Sequence, residues 1–219
     1  MAASEAGPLR MMATLGVAGL CSGLALAGIY LITLPMIERN RAEALETAIY
    51  KVLPGASSRV AFVVRDGSLT QFEEAGIPKE EAVFIGYDEN GTPLGFAIPA
   101  QGPGFQDTIK LLYGYHPGRR RVVGMEILES KETPGLGDKI FKDMKFVGAF
   151  GDLAVDPELV VTKKGATQPN ELDAISGATI SSKAVARIIN LANVRWLERL
   201  PEMKAIAPTE TTAGAGEGE

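Results

Sequence analysis

The chain has 219 residues, 46% of them hydrophobic, and a formal net charge of -5. That allows one packed domain with an anchor and argues against a nucleic-acid binder, which needs a basic stripe. One Cys and one His leave no disulfide, no thiolate cluster for iron–sulfur and no zinc set, so any redox chemistry must come from an organic cofactor.

Residues 1–10 precede an uncharged run, Met11–Ile37, bounded by Arg10 and by Glu38-Arg39. The run exceeds the roughly 20 residues that cross a hydrocarbon core, so it predicts one transmembrane helix over 11–37. A cleaved signal peptide is the competing reading, but the run outlasts a usual h-region and no small-x-small cleavage site follows. Cys21 follows Leu20, where a lipoprotein site wants a small residue, and reads instead as an apolar member of the span. Arg10 on one side, partly offset by Glu5, and Arg39 with Arg41 on the other do not decide the orientation.

Ala44, Ala48, Ile49 and Val52 recur at helical spacing and predict a juxtamembrane helix over 38–54, stopped by Pro54-Gly55. Val60–Val64 is a β-branched run, hence a strand. Ala82–Tyr87 and Leu94–Ile98 flank Asn90-Gly91, a strong hairpin signal. Gly102-Pro103-Gly104-Phe105 is a Gly-rich loop without the Lys-Ser/Thr of a phosphate-binding P-loop. Thr108–Tyr115 and Arg121–Leu128 form a second hairpin around His116-Pro117-Gly118. His116 there is a turn residue rather than a general base, and Arg119–Arg121 a solvated tip.

Lys139–Phe146 predicts a short helix and Leu159–Thr162 a strand. Lys183–Leu200 predicts the best helix of this part, with Val185, Ile188, Ile189, Ala192 and Trp196 on one face. Strands arriving as hairpins with helices at the ends argue an α+β domain, 55–205, with a largely antiparallel sheet and flanking helices. Residues 206–219, rich in Ala, Gly, Thr and Glu, read as a disordered tail.

The most informative stretch is Asp173-Ala174-Ile175-Ser176-Gly177-Ala178-Thr179-Ile180-Ser181-Ser182, small and hydroxyl-bearing residues just before the last helix. Three readings stand. The hydroxyls cap the helix, its unpaired N–H groups and dipole bind a phosphate, or one hydroxyl is itself esterified. Separately, Glu132-Thr133-Pro134-Gly135-Leu136-Gly137 is by its residues a turn.

Asp173-x-x-Ser176-Gly177-Ala178-Thr179-x-Ser181 resembles the flavinylation motif of FMN-binding domains, found in the G subunit of Rnf-type electron-transport complexes and the C subunit of sodium-pumping NADH:quinone reductases. Glu132–Gly137 is similar to the Glu-Thr-Pro-Gly-Leu-Gly segment that lies against the flavin in that family. Together the matches cover roughly Leu45 to Leu200, and the anchor fits as well.

The resemblance implies a covalent FMN, taken from FAD by a flavin transferase and esterified to Thr179, with Ser181 the alternative acceptor. Asp173 is what the transferase recognises, together with the small residues Ser176, Gly177 and Ala178, and Ile180, Ser181 and Ser182 offer N–H groups to the phosphate. Thr133–Gly137 would receive the ring. Phe105 matches the family's aromatic position only inexactly. Lys163-Lys164 is either a solvated pair or places an ammonium, Lys163, toward the FMN. The implied protein is a redox subunit, not a catalyst alone, of an ion-translocating ferredoxin:NAD oxidoreductase. Its partners are the other subunits, the transferase and the membrane, with the N-terminus cytoplasmic and the flavin domain outside a bacterial inner membrane. A component like the C subunit of the quinone reductases, or a free-standing extracytoplasmic FMN protein, is the alternative.

Overall fold

The computed structural model describes residues 7–65, 68–73, 76, 78 and 80–201. The expected tail at 206–219 and Glu5 lie outside the described residues. Two compact units divide the chain, Met1–Glu43 and Ala44–Glu219.

Helix α1, Pro8–Val52, is one continuous helix with Pro35 inside it. Among the described residues it is long and apolar enough to cross a membrane, judged by length and composition. The stretches that the sequence reads as a span, 11–37, and a juxtamembrane helix, 38–54, both fall on this element as far as Val52. Residues 38–47 contain neither Gly nor Pro, and Arg39 bonds Glu43 one turn on at 2.9 Å, so nothing interrupts the ladder.

The second unit is built on a seven-stranded antiparallel sheet in the order β2-β1-β3-β4-β5-β6-β7. The strands are β1 Ser58–Arg65, β2 Ser68–Gln71, β3 Ala82–Tyr87, β4 Pro93–Pro103, β5 Thr108–His116, β6 Arg121–Glu129 and β7 Leu153–Ala154. Between β6 and β7 run α2 (Lys139–Lys142), α3 (Met144–Gly148) and a 3-10 turn, Ala149–Asp152. The one helix expected over 139–146 is therefore two, parted at Asp143, whose carboxylate accepts from the N–H groups of Lys145 and Phe146 and so starts α3. Strands β8 (Val160–Thr162) and β9 (Glu171–Asp173) pair parallel in a small sheet of their own, and α4 runs Thr179–Trp196. The expected α+β class holds.

Alternation along the strands loads both faces of the sheet. Val83, Ile85, Phe96, Ile98, Leu111 and Tyr113 face one core with α4's Val185, Ile188, Ile189 and Trp196. Ala61, Val63, Phe84, Ala97 and Leu112 face a second core with Ala48, Ile49, Val52 and Leu53. The end of α1, which the sequence assigns to a juxtamembrane helix, thus places Ala48, Ile49 and Val52 in a domain core.

Glycines seat that helix end. Gly86 pairs Gly95 and Gly114 pairs Gly124 across the sheet. A Cβ on Gly114 would lie 2.0 Å from the Val52 carbonyl oxygen, and one on Gly124 would lie 2.8 Å from Val52 Cα. Only bare backbone lets the helix end approach the strands so closely.

Candidate functional site

Three segments remote in sequence converge at the start of α4. The first is the turn joining β4 and β5, closed by the Gly104 N–H donating to the Asp107 carbonyl at 2.8 Å. Gly102 and Pro103, expected in a loop, are the last residues of β4. The second segment is Glu132–Gly137. The Leu136 N–H donates to the Thr133 carbonyl at 3.2 Å, and Gly135 has φ +78. Pro at the second position and a positive φ at the third are what a type II turn requires. The third is the motif itself, which leaves β9 at Asp173 and enters α4 at Thr179.

Glu132 joins them. Its side chain is buried, 6% exposed. Oε1 accepts from the N–H groups of Phe105 (2.9 Å) and Gln106 (3.0 Å), and Oε2 accepts the Ser181 hydroxyl at 2.6 Å. Burial pushes this carboxyl up. The Ser181 hydroxyl and the N–H groups of Gln106, Phe105 and Asp107 outweigh that and leave it below the usual carboxylate value. The carboxylate is wedged between glycines: a Cβ on Gly104 would sit 2.4 Å from Oε1, and one on Gly137 would sit 2.6 Å from Oε2. Thr133 adds a link by donating its hydroxyl to Gln106 Oε1 at 2.8 Å.

The hydroxyls of the motif divide into two kinds. Ser181 is 3% exposed and bonded to Glu132. Ser182 is fully buried. It donates to the Ala178 carbonyl at 2.9 Å and accepts from the Ile175 N–H at 3.2 Å. Thr179 is half-buried in the first turn of α4, and Ser176 is exposed beyond Gly177, whose φ is +81. None of them caps the helix: the N-cap is Ala178, without a side-chain bond. The capping reading is corrected accordingly, because Ser182 folds inward to fix the loop. So is the expectation that Ser182 offers its N–H outward, since that N–H donates to the Ala178 carbonyl at 2.9 Å. The helix instead leaves the N–H groups of Thr179, Ile180 and Ser181 without intrahelical acceptors, at the positive end of its dipole.

Asp173 anchors the approach. Its Oδ1 accepts the Ala166 N–H at 2.6 Å, and its Oδ2 lies 3.8 Å from Lys145 Nζ. Lys163, in the turn between β8 and that N–H, is exposed. A second cation, which the sequence does not single out, touches the motif at Ser176. Lys139 Nζ donates to the Ser176 carbonyl at 3.2 Å. Its place depends on the Thr133–Gly137 turn folding against Ser176-Gly177, where Leu136 Cδ2 stands 3.5 Å from the position of a Gly177 Cβ. No local pattern reports such a contact.

Each converging segment also leaves one large apolar side chain in solvent: Phe105 (64% exposed), Leu136 (50%) and Ile180 (58%). Exposed apolar groups beside a helix N-terminus, a half-buried threonine and an ammonium suit an amphipathic ligand with a flat apolar body and an anionic end. A groove of about 630 Å³ between the sheet and the C-terminal half of α4, lined by Pro99, Leu111, Leu128, Leu191 and Trp196, contains none of these residues. Among the described residues no group of His, Cys, Asp or Glu could hold a metal ion.

The profile of the family described as FMN-binding domain matches residues 104–193, which takes in all three converging segments. The G subunit of the ion-translocating oxidoreductase complex of Methanosarcina acetivorans is 31% identical over 183 residues, covering 84% of this chain and 91% of the relative. The G subunit of the Na(+)-translocating ferredoxin:NAD(+) oxidoreductase complex of Acetobacterium woodii is 34% identical over 178 residues, 77% of this chain and 81% of the relative. In fold, the chain is similar to the crystal structure of NqrC from Shewanella oneidensis, with a TM-score of 0.58, 16% identity, and cover of 77% of this chain and 100% of the other.

Proposed function

The chain belongs to the family of G subunits of ion-translocating oxidoreductase complexes, and on that footing we propose that it is an electron-carrying subunit whose FMN is esterified to Thr179. FMN supplies reversible one- and two-electron chemistry when bound. The chain's own part is to bind, orient and retain it.

The observation that carries the attachment is the unequal state of the motif hydroxyls. Ser181 and Ser182 are buried and bonded, whereas Thr179 is only half-buried in the first helical turn and its hydroxyl makes no such bond. There the N–H groups of Thr179, Ile180 and Ser181 meet the phosphate charge, and the helix dipole adds about 0.3–1 kcal/mol. Lys139 supplies a cation beside Ser176, and Lys163 a second, solvated one. Ser176, Gly177 and Ala178 are the small residues a transferase reads together with Asp173, with Ser176 and Gly177 exposed ahead of the helix. Thr133, Pro134, Gly135 and Leu136 present an exposed turn for the flat ring. Gly137 and Glu132 hold that turn from behind. A covalent link removes dissociation, which a dipole and a few hydrogen bonds alone do not prevent.

Helix α1 is proposed as the anchor in an inner membrane, over 11–37, with the flavin domain on the extracytoplasmic side. The other subunits of the complex are the partners, and a flavin transferase matures the chain. A role like that of the C subunit in a quinone reductase is the second reading, favoured by the fold likeness to NqrC. Intact-mass measurement of protein co-expressed with a flavin transferase, followed by peptide mapping, tests the proposal. One FMN on the peptide containing Thr179 is expected; an unmodified chain contradicts it.

A further inference from the structure

We propose that Glu132 is the residue that reserves attachment for Thr179, by holding the hydroxyl of Ser181; this rests on the covalent-FMN reading above. The two hydroxyls lie on the same first turn of α4, two residues apart, each close to the orphan N–H groups that would take the phosphate. What separates them is engagement. Ser181 donates at 2.6 Å to Glu132 Oε2 and is 3% exposed; Thr179 is half-buried and makes no comparable bond.

Attachment requires the hydroxyl oxygen to attack the FMN-side phosphorus of flavin adenine dinucleotide. A P–O bond to the hydroxyl forms, the pyrophosphate P–O bond breaks, AMP leaves, and the hydroxyl proton passes to solvent. Ser181 cannot make that approach while its oxygen is turned inward on Glu132. A carboxylate bonded to a serine can also activate it as a base. Here the Phe105 and Gln106 N–H groups share the carboxylate, and the Ser181 hydroxyl is turned inward to it, so the pair is a lock. Gly104 and Gly137 keep the lock closed, since any side chain at either position would collide with the carboxylate oxygens. Ser182 is sequestered separately, by Ala178 and Ile175, and needs no Glu132. Glu132 is thus a positioning residue that sets which oxygen reacts.

The test is full-length protein co-expressed with a flavin transferase and mapped by peptide mass. It compares wild type, Thr179→Ala, Glu132→Gln and the Thr179→Ala/Glu132→Gln and Thr179→Ala/Glu132→Ala pairs. Glu132→Gln keeps an oxygen for the Phe105 and Gln106 N–H groups and turns an amide toward Ser181, which frees the hydroxyl proton. It carries the test if Glu132→Ala does not fold. The expected result is FMN on Thr179 in wild type, none in Thr179→Ala, and labelling of Ser181 in the paired variants. The rise at Ser181 should be about tenfold or more, the scale of a lost hydrogen bond to a charged group. Mere loss of structure would lower labelling everywhere and would not move it from Thr179 to Ser181. Glu132→Gln that labels Thr179 normally, with paired variants blank at Ser181, overturns the proposal. Wild-type protein without FMN on Thr179 fails the underlying reading instead.

Discussion

Glu132 and Ser181, 49 residues apart in sequence, share a 2.6 Å hydrogen bond in the interior of the domain. Through it the turn at Thr133–Gly137 and the first turn of α4 are held in fixed relation. The same carboxylate collects the turn at Phe105-Gln106.

Replacing Glu132 by Ala leaves the Phe105 and Gln106 N–H groups without their acceptor, which costs about 1–3 kcal/mol. Denaturant unfolding of the full chain in detergent measures it. Glu132→Gln should lose less, because an oxygen remains for both donors.

The pH dependence has a definite sign. Burial raises the Glu132 carboxyl, and its donors more than offset that, so its folded value lies below the unfolded one. It therefore contributes stability above the unfolded value, lost as pH falls through the folded value. Lowering the pH from about 5 towards 3, across the ordinary glutamate range, should destabilise wild type more steeply than Glu132→Gln. Parallel curves would contradict an ionised Glu132.

Gly137→Ala and Gly135→Ala separate packing from backbone strain in one loop. A methyl on Gly137 meets Glu132 at 2.6 and 2.7 Å, so about 1–3 kcal/mol is expected together with weaker flavin attachment. At Gly135 the space is open and only φ +78 resists, at about 1–2 kcal/mol. Thermal melts and labelling yields of the pair should diverge, with Gly137→Ala the worse in both.

Gly114→Ala should be the most damaging glycine substitution away from the site, since its Cβ would fall 2.0 Å from the Val52 carbonyl oxygen, a backbone atom that cannot rotate away. A loss of about 3 kcal/mol or more is expected, above the usual range for overpacking. A melt unchanged from wild type would mean that the helix end does not seat there.

Much of this structure is legible in the sequence because it is local. Asn90-Gly91 marks its hairpin, and α4's core face follows from Val185, Ile188, Ile189, Ala192 and Trp196. Thr179 and the Glu132–Gly137 segment carry the family resemblance. What escapes depends on tertiary contact. β9 is three residues long and gains its identity only by pairing with β8. The fate of each hydroxyl depends on Glu132 and Ala178, and Lys139 matters only where Leu136 meets Gly177. The continuity of α1 is hidden because an uncharged run ends at Ile37 while the helix does not: Glu38–Thr47 has nothing to break it.

Whether Thr179 holds the flavin is decided by fluorescence in a denaturing gel, comparing wild type, Thr179→Ser and Thr179→Ala after co-expression with a flavin transferase. Esterification at this position predicts a fluorescent band for wild type, a retained band for Thr179→Ser and none for Thr179→Ala. A fluorescent Thr179→Ala band would contradict it.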